Sequence, residues 1–164
     1  MRRIDIRDAG TGDAQAIADI YNHYVQHTTS TFDTEPKSVE DRLAWMQSRE
    51  SRHPVVVASD EGRVVGWGAL TRWAERPAWR HTVELSLYVD PERLGEGVGS
   101  ALMESLLERA ALEGHHAVIG QIVSENEGSL SLAARFGFEE VGRLREVGHK
   151  SGRWLDVVLV ERRA

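Results

Sequence analysis

The spacing of hydrophobic residues predicts strands and helices that alternate with short connections. Apolar and polar side chains alternate at residues 4–7, as expected of a half-buried strand. Residues 13–25 instead carry apolar side chains at the three- and four-residue spacing of a helix. A second helix is predicted over residues 38–48, where Ser38 and Asp41 form an acidic variant of the capping box.

The rest of the chain continues this alternation. Residues 55–58 and 63–73 read as strands flanking an Asp60-Glu61-Gly62 turn, which predicts a hairpin. The remaining predicted elements are a strand at 81–89, a helix at 97–113 closed by Gly114, a strand at 117–123, a helix at 127–136 ended at Gly137, and strands at 139–147 and 154–161. This order predicts an α/β (α+β) fold, with a single mixed central sheet of about seven strands flanked by about four helices.

Length and composition narrow the class of protein. A chain of 164 residues supports one sizeable core, so one domain over residues 1–164 is expected. The absence of cysteine excludes disulfides and a thiolate nucleophile. No run of about 18 apolar residues occurs and the start is charged, so a soluble cytoplasmic protein without a membrane partner is expected. The net charge of −6 argues against nucleic acid as a partner.

A glycine-rich loop between a hydrophobic strand and a helix is the main chemical signal. Gly95, Gly97 and Gly99 let the main chain turn tightly, and the first N–H groups of the following helix favour phosphate oxygens. The spacing lacks the second gap of the dinucleotide fingerprint G-x-G-x-x-G, and no Gly-Lys-Ser/Thr follows as in a P-loop. The loop alone leaves two interpretations open, a pyrophosphate site and a plain strand-to-helix turn.

The loop resembles motif A of the GNAT N-acetyltransferases, in which a strand is followed by Gln/Arg-x-x-Gly-x-Gly/Ala and a helix. This chain departs from the pattern at Leu94, where Gln or Arg is usual, and at Glu96, where a basic or neutral residue is commoner. Arg93 is expected to supply a compensating charge. The resemblance implies acetyl-CoA as cosubstrate and assigns its binding to Leu87, Tyr88, Val89, Gly95, Glu96, Gly97, Val98, Gly99 and Ser100.

A second resemblance follows the central helix. Residues 124–138 are similar to GNAT motif B, N-x-x-S-x-x-L-x-x-x-x-G-F, beginning at Asn126. The resemblance implies that Asn126 contacts the pantetheine arm of the coenzyme. The alternative makes Asn126 a simple helix cap. Gly137 is expected to end the helix and Phe138 to enter the core.

Three further segments resemble the phosphinothricin and methionine-sulfoximine acetyltransferases. They are residues 31–36, residues 73–84 and residues 148–156. The last is similar to the segment G-[FY]-K-x-G-x-W-x-D, with His149 in place of the usual aromatic residue. The resemblance implies acetylation of the primary amine of a small amino-acid analogue (phosphinothricin, methionine sulfoximine or methionine sulfone) and a homodimer.

The reaction chemistry requires a base, for which Glu84 is the candidate. An ammonium group cannot attack a thioester until it loses a proton, and Glu84 matches the Glu of the T-x-E pattern in the resembling group. The alternative is a solvated strand residue. Direct transfer is expected because the chain has no cysteine or Ser-His-Asp pattern. The general acid stays unassigned, since Ala133 and Ala134 stand where many GNAT enzymes have a tyrosine.

Four residues are candidates for substrate selection. Phe32 and Trp73 are expected to wall the side-chain pocket, while Arg72 and Arg76 are suited to bind a carboxylate. Arg76 matches the Arg of W-x-x-R in the phosphinothricin enzymes, and Arg72 is shifted relative to the W-R pair of the sulfone enzymes. Each of the four also has an ordinary interpretation as surface charge or core filler.

No metal is expected, and two other functions remain open. His23 and His27 have the spacing of a zinc pair but lack the Glu of H-E-x-x-H, so solvated helix histidines are expected. The first alternative function is a GNAT enzyme acting on a polyamine, an aminoglycoside or a protein N-terminus. The second is a non-catalytic acyl-CoA sensor built on the same fold.

Overall fold

A computed structural model describes residues 3–164 as one twisted, mixed sheet with helices on both faces. The start of the predicted domain, Met1 and Arg2, lies outside the described residues. The strands are β1 (Asp5–Asp8), β2 (Val55–Asp60), β3 (Arg63–Arg72), β4 (Thr82–Val89), β5 (Ala117–Val123), β6 (Glu139–Lys150) and β7 (Arg153–Arg163). The helices are α1 (Ala14–His27), α2 (Val39–Gln47), α3 (Val98–Leu112) and α4 (Glu127–Arg135). The strand order is β1-β2-β3-β4-β5-β7-β6.

The predicted mixed α/β fold is confirmed, and the local signals act as expected. Ser38 accepts a hydrogen bond from the Asp41 N–H at 3.1 Å and begins α2. Gly114 and Gly137 have positive φ angles just beyond α3 and α4, and Phe138 is buried.

The β6–β7 hairpin is longer than predicted. β6 extends to Lys150 and β7 begins at Arg153, whereas the sequence predicts that the first strand ends at residue 147 and the second begins at residue 154. Ser151 and Gly152 both adopt positive φ, so the chain reverses within two residues and the strands pair up to the turn.

Two layers of helices cover the sheet. One core cluster packs α3 and α4 against one face, with Leu102 and Leu106 fully buried. The other cluster packs α1 and α2 against the opposite face and includes Ile17 and Trp67. Side chains of β4 alternate between these layers, with Leu85 facing α3 and Tyr88 facing α1.

The sheet opens between β4 and β5. These strands form the parallel pair of the sheet described over residues 3–164, and they pair only at Thr82–Glu84 with Ala117–Ile119. Both strands then continue, β4 to Val89 and β5 to Val123, without pairing to each other. The carboxyl-terminal half of β4 therefore has an open edge toward β5.

Glycines in β3 let α3 lie close to the sheet. A Cβ at Gly68 would lie 2.7 Å from Leu106 Cδ1, and one at Gly66 would lie 2.9 Å from Val98 Cγ1. Both distances are shorter than real Cβ contacts, so larger residues would push α3 outward. These glycines thereby fix the height of α3 above β4.

We expect Gly68→Ala to lower the free energy of unfolding by about 1–3 kcal/mol, because an added methyl group overpacks a rigid contact. Urea unfolding would measure the change. Gly142→Ala is the matched control, since its Cβ would make only an ordinary contact at 3.9 Å with Leu159. Equal stability of the two variants would contradict this account of the α3 packing.

Candidate active site

The glycine loop forms an exposed cradle of backbone donors at the start of α3. Gly95 and Gly97 have φ angles of +79° and +86°, which favour glycine. The N–H of Ala101 donates to Gly97 O at 3.1 Å, so the N–H groups of the preceding turn have no acceptor inside the helix. Together with the helix dipole they form a site suited to a pyrophosphate.

The other residues expected in this loop support its shape or lie beside it. Val98 is 1 % exposed and anchors α3 in the core. Gly99 packs on α4, where a Cβ would lie 3.3 Å from Leu132 Cδ2. Ser100 is half-buried in the first turn of α3.

Arg93 does not offer a free charge to the loop. Its guanidinium lies 2.7 Å from Glu96 Oε2 and 2.7 Å from Asp60 Oδ2. The expected compensation therefore acts within the protein, because Arg93 partly neutralises the unusual Glu96. Leu94, the other departure from motif A, is 62 % exposed.

The open edge of β4 presents backbone groups beside this loop. Asp90 N–H donates to Val65 O at 2.9 Å, and the alternation of an antiparallel ladder then turns the N–H and C=O of Val89 and Leu87 away from β3. The Val89 carbonyl already accepts a hydrogen bond from the Tyr24 hydroxyl. Leu87 is therefore the better placed of the two to bind an extended arm.

Asn126 caps α4 and also bonds to the segment between α1 and α2, residues 28–38, termed the α1–α2 segment. Its Oδ1 accepts from Ser129 N–H at 3.2 Å, as the cap interpretation requires, and its Nδ2 donates to Ser30 Oγ at 3.2 Å. A cleft of about 510 Å³ lies beside it, with Arg153 and Glu125 on the rim. Asn126 thus stands at the wall of a cleft large enough for a flexible ligand arm.

A set of side-chain contacts holds residues 28–33 across this cleft. The Arg153 guanidinium binds both oxygens of the Glu125 carboxylate at 2.8 and 2.9 Å, and Thr29 donates to the same carboxylate. The Arg153 hydrogen bonds lower the pKa of Glu125 to about 2. Glu125 therefore links the α1–α2 segment to the β6–β7 turn.

Glu84 lies at the last position where β4 and β5 pair. It is half-buried, and Gln121 Nε2 donates to its Oε2 at 2.7 Å. Burial raises the pKa of Glu84, and the hydrogen bond from Gln121 opposes that rise only in part. A carboxylate with a raised pKa at the mouth of the opening is suited to accept a proton.

Tyr88, predicted to bind the coenzyme, lies beside aromatic and hydroxyl groups that were not predicted as part of the site. Tyr88 packs edge-to-face on Tyr21 at 5.1 Å, and the Tyr21 hydroxyl contacts Thr31 Oγ1 at 2.8 Å and the Asp33 carboxylate. Burial raises the pKa of Tyr21 to about 12 and also raises the pKa of Tyr88. The helical spacing indicated only a core role for Tyr21, because periodicity cannot show what its hydroxyl meets.

The four residues predicted to select the substrate fall into different places. Arg72 and Arg76 line one cavity of about 260 Å³. Phe32 is 41 % exposed and lies against Gly148 of β6, while Trp73 is half-buried just after β3. Neither aromatic residue lines the cavity of the two arginines.

The two arginines differ in their availability. Arg72 lies 2.8 Å from Glu50 Oε1 and 3.1 Å from Glu75 Oε2, so its charge is already matched. The Arg76 guanidinium is exposed and has no hydrogen-bond or carboxylate partner within residues 3–164. Arg76 is therefore the freer cation for an anionic ligand.

His23 and His27 lie together on α1 with ring centroids 5.3 Å apart. In the part of the chain that the structure describes, no group of three or more potential ligands could hold a metal ion. No helix in this part is long and apolar enough to cross a membrane.

Comparisons with known proteins agree on the class of enzyme. Residues 17–138 match the acetyltransferase (GNAT) family. The chain is 39% identical over 158 residues (95% of this chain, 92% of the relative) to an L-methionine sulfoximine/L-methionine sulfone acetyltransferase of Pseudomonas paraeruginosa. It is 38% identical over 163 residues (97% and 95%) to a phosphinothricin N-acetyltransferase of Streptomyces coelicolor.

A solved structure shows the same fold with the coenzyme bound. A GNAT superfamily phosphinothricin acetyltransferase from Sinorhizobium meliloti, in complex with acetyl-CoA, superposes with a TM-score of 0.94 at 33% identity, covering 98% of this chain and 88% of that one. The seven-stranded sheet of this chain therefore has the fold of an acyl-CoA-dependent transferase. The chain belongs to the GNAT family and is an N-acetyltransferase with acetyl-CoA as its cosubstrate.

We expect Gly97→Val to weaken acetyl-CoA binding at least about tenfold, because a side chain at this positive φ distorts the cradle and obstructs the phosphates. The rise in melting temperature with acetyl-CoA would measure binding. Gly62→Val is the matched control, since Gly62 has φ +82° in the β2–β3 turn and also has open space around its Cβ. Both variants should lose stability, but only Gly97→Val should lose the response to acetyl-CoA. A full response in Gly97→Val would contradict the assignment of the pyrophosphate site.

Proposed function

We propose that this enzyme transfers the acetyl group of acetyl-CoA to the primary amine of a small amino-acid-like substrate. The observation that carries the proposal is Glu84, a half-buried carboxylate with a raised pKa where β4 and β5 separate. The names of the relatives support an amino-acid analogue of the phosphinothricin or methionine-sulfone type.

Glu84 is proposed as the general base. Its carboxylate takes one proton from the substrate ammonium, directly or through a water, and leaves a neutral amine. The amine nitrogen then attacks the acetyl carbonyl, and the C–N bond forms as the C–S bond breaks, without an acyl-enzyme. As the amide forms, its nitrogen releases its second proton to solvent, and the departing thiolate takes a proton from solvent to give the thiol of coenzyme A. Glu84 returns its own proton to solvent before the next turnover.

The chain binds the arm and steadies the reacting carbonyl. Backbone groups of Leu87 and Val89 are proposed to hold the pantetheine, with Leu87 presenting its N–H and C=O to the open edge. Tyr88, also predicted for this role, directs its own backbone groups to Trp67 of β3. A main-chain N–H there polarises the carbonyl oxygen as negative charge develops. The Asn126 amide is proposed to bind the pantetheine while it caps α4, since an amide offers both a donor and an acceptor.

Arg76 is proposed as the cation for the substrate carboxylate. Its guanidinium is exposed, whereas Arg72 must first exchange Glu50 or Glu75 for a ligand. In this proposal Arg76 binds the anion in the cavity that Arg72 shapes, and the substrate side chain extends out of that cavity to contact Phe32 and Trp73, which do not line it.

The chain is also proposed to form a homodimer through β6. This strand of 12 residues forms one edge of the sheet. Its exposed apolar residues are Val141, Leu144 and Val147, with Trp154 on the neighbouring strand 65 % exposed. A long edge strand with exposed apolar side chains is an aggregation hazard unless it is covered, and a second copy would cover it.

Sedimentation is expected to give a dimer for the parent protein at micromolar concentration. Val147→Lys should shift it toward the monomer, because a charge would be buried in the interface. Leu112→Lys, at an equally apolar but distant position that is 83 % exposed, should leave the dimer intact. A monomeric parent protein would refute the proposed pairing.

We expect Glu84→Gln to lower kcat by about 10²- to 10⁴-fold while acetyl-CoA binding is kept. The parent rate should fall as the pH drops through the raised pKa of Glu84, because the base becomes protonated. The rate of the variant should not show this fall at low pH. It should recover partly at high pH, where the amine is already neutral. CoA release with methionine sulfone and phosphinothricin would measure the rates.

The same assay separates the alternatives. Turnover only with a polyamine, an aminoglycoside or a peptide N-terminus would shift the substrate class. Binding of acetyl-CoA without turnover of any amine would indicate a sensor. Equal rates of Glu84→Gln and the parent across the pH range would show that Glu84 is not the base.

A further inference from the structure

Two alternate residues of β6 hold two consecutive residues of the α1–α2 segment. Gly148 and Lys150 point to the same side of β6, and both are buried. Gly148 lies under the ring of Phe32, and Lys150 binds the main chain of Thr31. Both belong to residues 148–156, a segment to which the proposed reaction assigns no role.

The contact at Gly148 is steric. A Cβ at this position would lie 2.3 Å from both Cε2 and Cζ of Phe32. The distance is too short for relaxation by a few tenths of an ångström, so any side chain would displace the Phe32 ring. The absence of a side chain at Gly148 is therefore what allows the Phe32 ring to lie against β6 at this point.

The contact at Lys150 is polar. Lys150 is 8 % exposed, and its ammonium donates to Thr31 O at 2.7 Å. Burial lowers the pKa of Lys150, while the nearby Asp33 carboxylate favours the charged form. The ammonium thus ties the main chain of the segment one residue before Phe32.

A bulge in β6 sets the register of these two residues against β7. The register with β7 shifts between Leu144 and Gly148, and Glu146 within it has φ +51°. Asp156 holds the bulge, since its Oδ1 accepts from Glu146 N–H and its Oδ2 from Arg143 Nε, each at 2.8 Å. The bulge shifts the residues that follow it along the partner strand, so Gly148 pairs with Leu155 and Lys150 with Arg153.

We propose that Gly148 and Lys150 are positioning residues for the amine substrate, acting through Phe32 and Thr31. The inference rests on the proposed function, in which Phe32 contacts the substrate side chain. An irregular segment is mobile unless other residues hold it, and a wall that moves by about 1 Å can cost up to about 10²-fold in rate. β6 therefore sets which amine fits, although neither residue touches the reacting atoms.

The first test is a double-mutant cycle between Gly148→Ala and Phe32→Ala. Alone, Gly148→Ala should lower the melting temperature by roughly 1–4 °C, because the new methyl group displaces the partly exposed Phe32 ring from its contact with β6. In the Phe32→Ala background the same change should have almost no effect, because the obstructing ring is gone. Gly142→Ala, earlier on β6, is the matched control and should behave alike in both backgrounds.

The kinetic arm uses methionine sulfone and acetyl-CoA. Gly148→Ala should raise KM for the amine roughly 10-fold or more and leave KM for acetyl-CoA within about twofold, a split that general destabilisation would not produce. Lys150→Met should do the same and Lys150→Arg should restore part of the loss, while Lys37→Met should change nothing.

The possible results are distinguishable. Additive effects on the melting temperature, or an unchanged KM for the amine in Gly148→Ala and Lys150→Met, would overturn the inference. A parent protein that acetylates no amino-acid amine would contradict the proposed function instead. The melting-temperature cycle would then decide alone whether Gly148 positions Phe32.

Discussion

β4 and β5 are hydrogen-bonded at three positions and then separate, and the site is arranged around that separation. Glu84 stands at the last paired position, and Leu87 turns its backbone groups into the opening beyond it. A continuous ladder would satisfy those groups within the sheet and leave nothing to bind an extended ligand. The opening thus leaves main-chain hydrogen bonds unmade at one place, and a bound coenzyme arm can complete them.

The opening is useful because α3 is held at a fixed height beside it. Gly66 and Gly68 admit the helix, and Val98 fixes its first turn in the core. The donor cradle at Gly97 consequently has a rigid base although its surface is exposed. The main-chain donors at the start of α3 are already in place before a ligand binds, so binding does not require them to reorganise.

The sequence predicts the elements well because local signals decide them. Periodicity, the Ser38 cap and the glycines after α3 and α4 each act within a few residues. The glycine loop and Glu84 could be proposed on the same basis, together with the resemblance. Contacts between segments that are far apart in the chain could not be predicted in this way. The partners of Arg93 and Arg72 are examples, because Asp60 and Glu50 lie far from them in the sequence. The bulge at Glu146 escapes prediction for the same reason, because it depends on Asp156 across the hairpin.

The burial of Lys150 has a chemical consequence for a protein that binds a reactive thioester. Lysine occurs at only two positions in the sequence, 37 and 150, so 18 of the 20 basic side chains are arginine. A guanidinium stays protonated at any physiological pH and is a poor nucleophile. With the ammonium of Lys150 buried against Thr31 O, Lys37 is the lysine side chain that stray acetyl groups can reach. The chain thereby keeps the charge it needs while presenting few amines that could compete with its substrate.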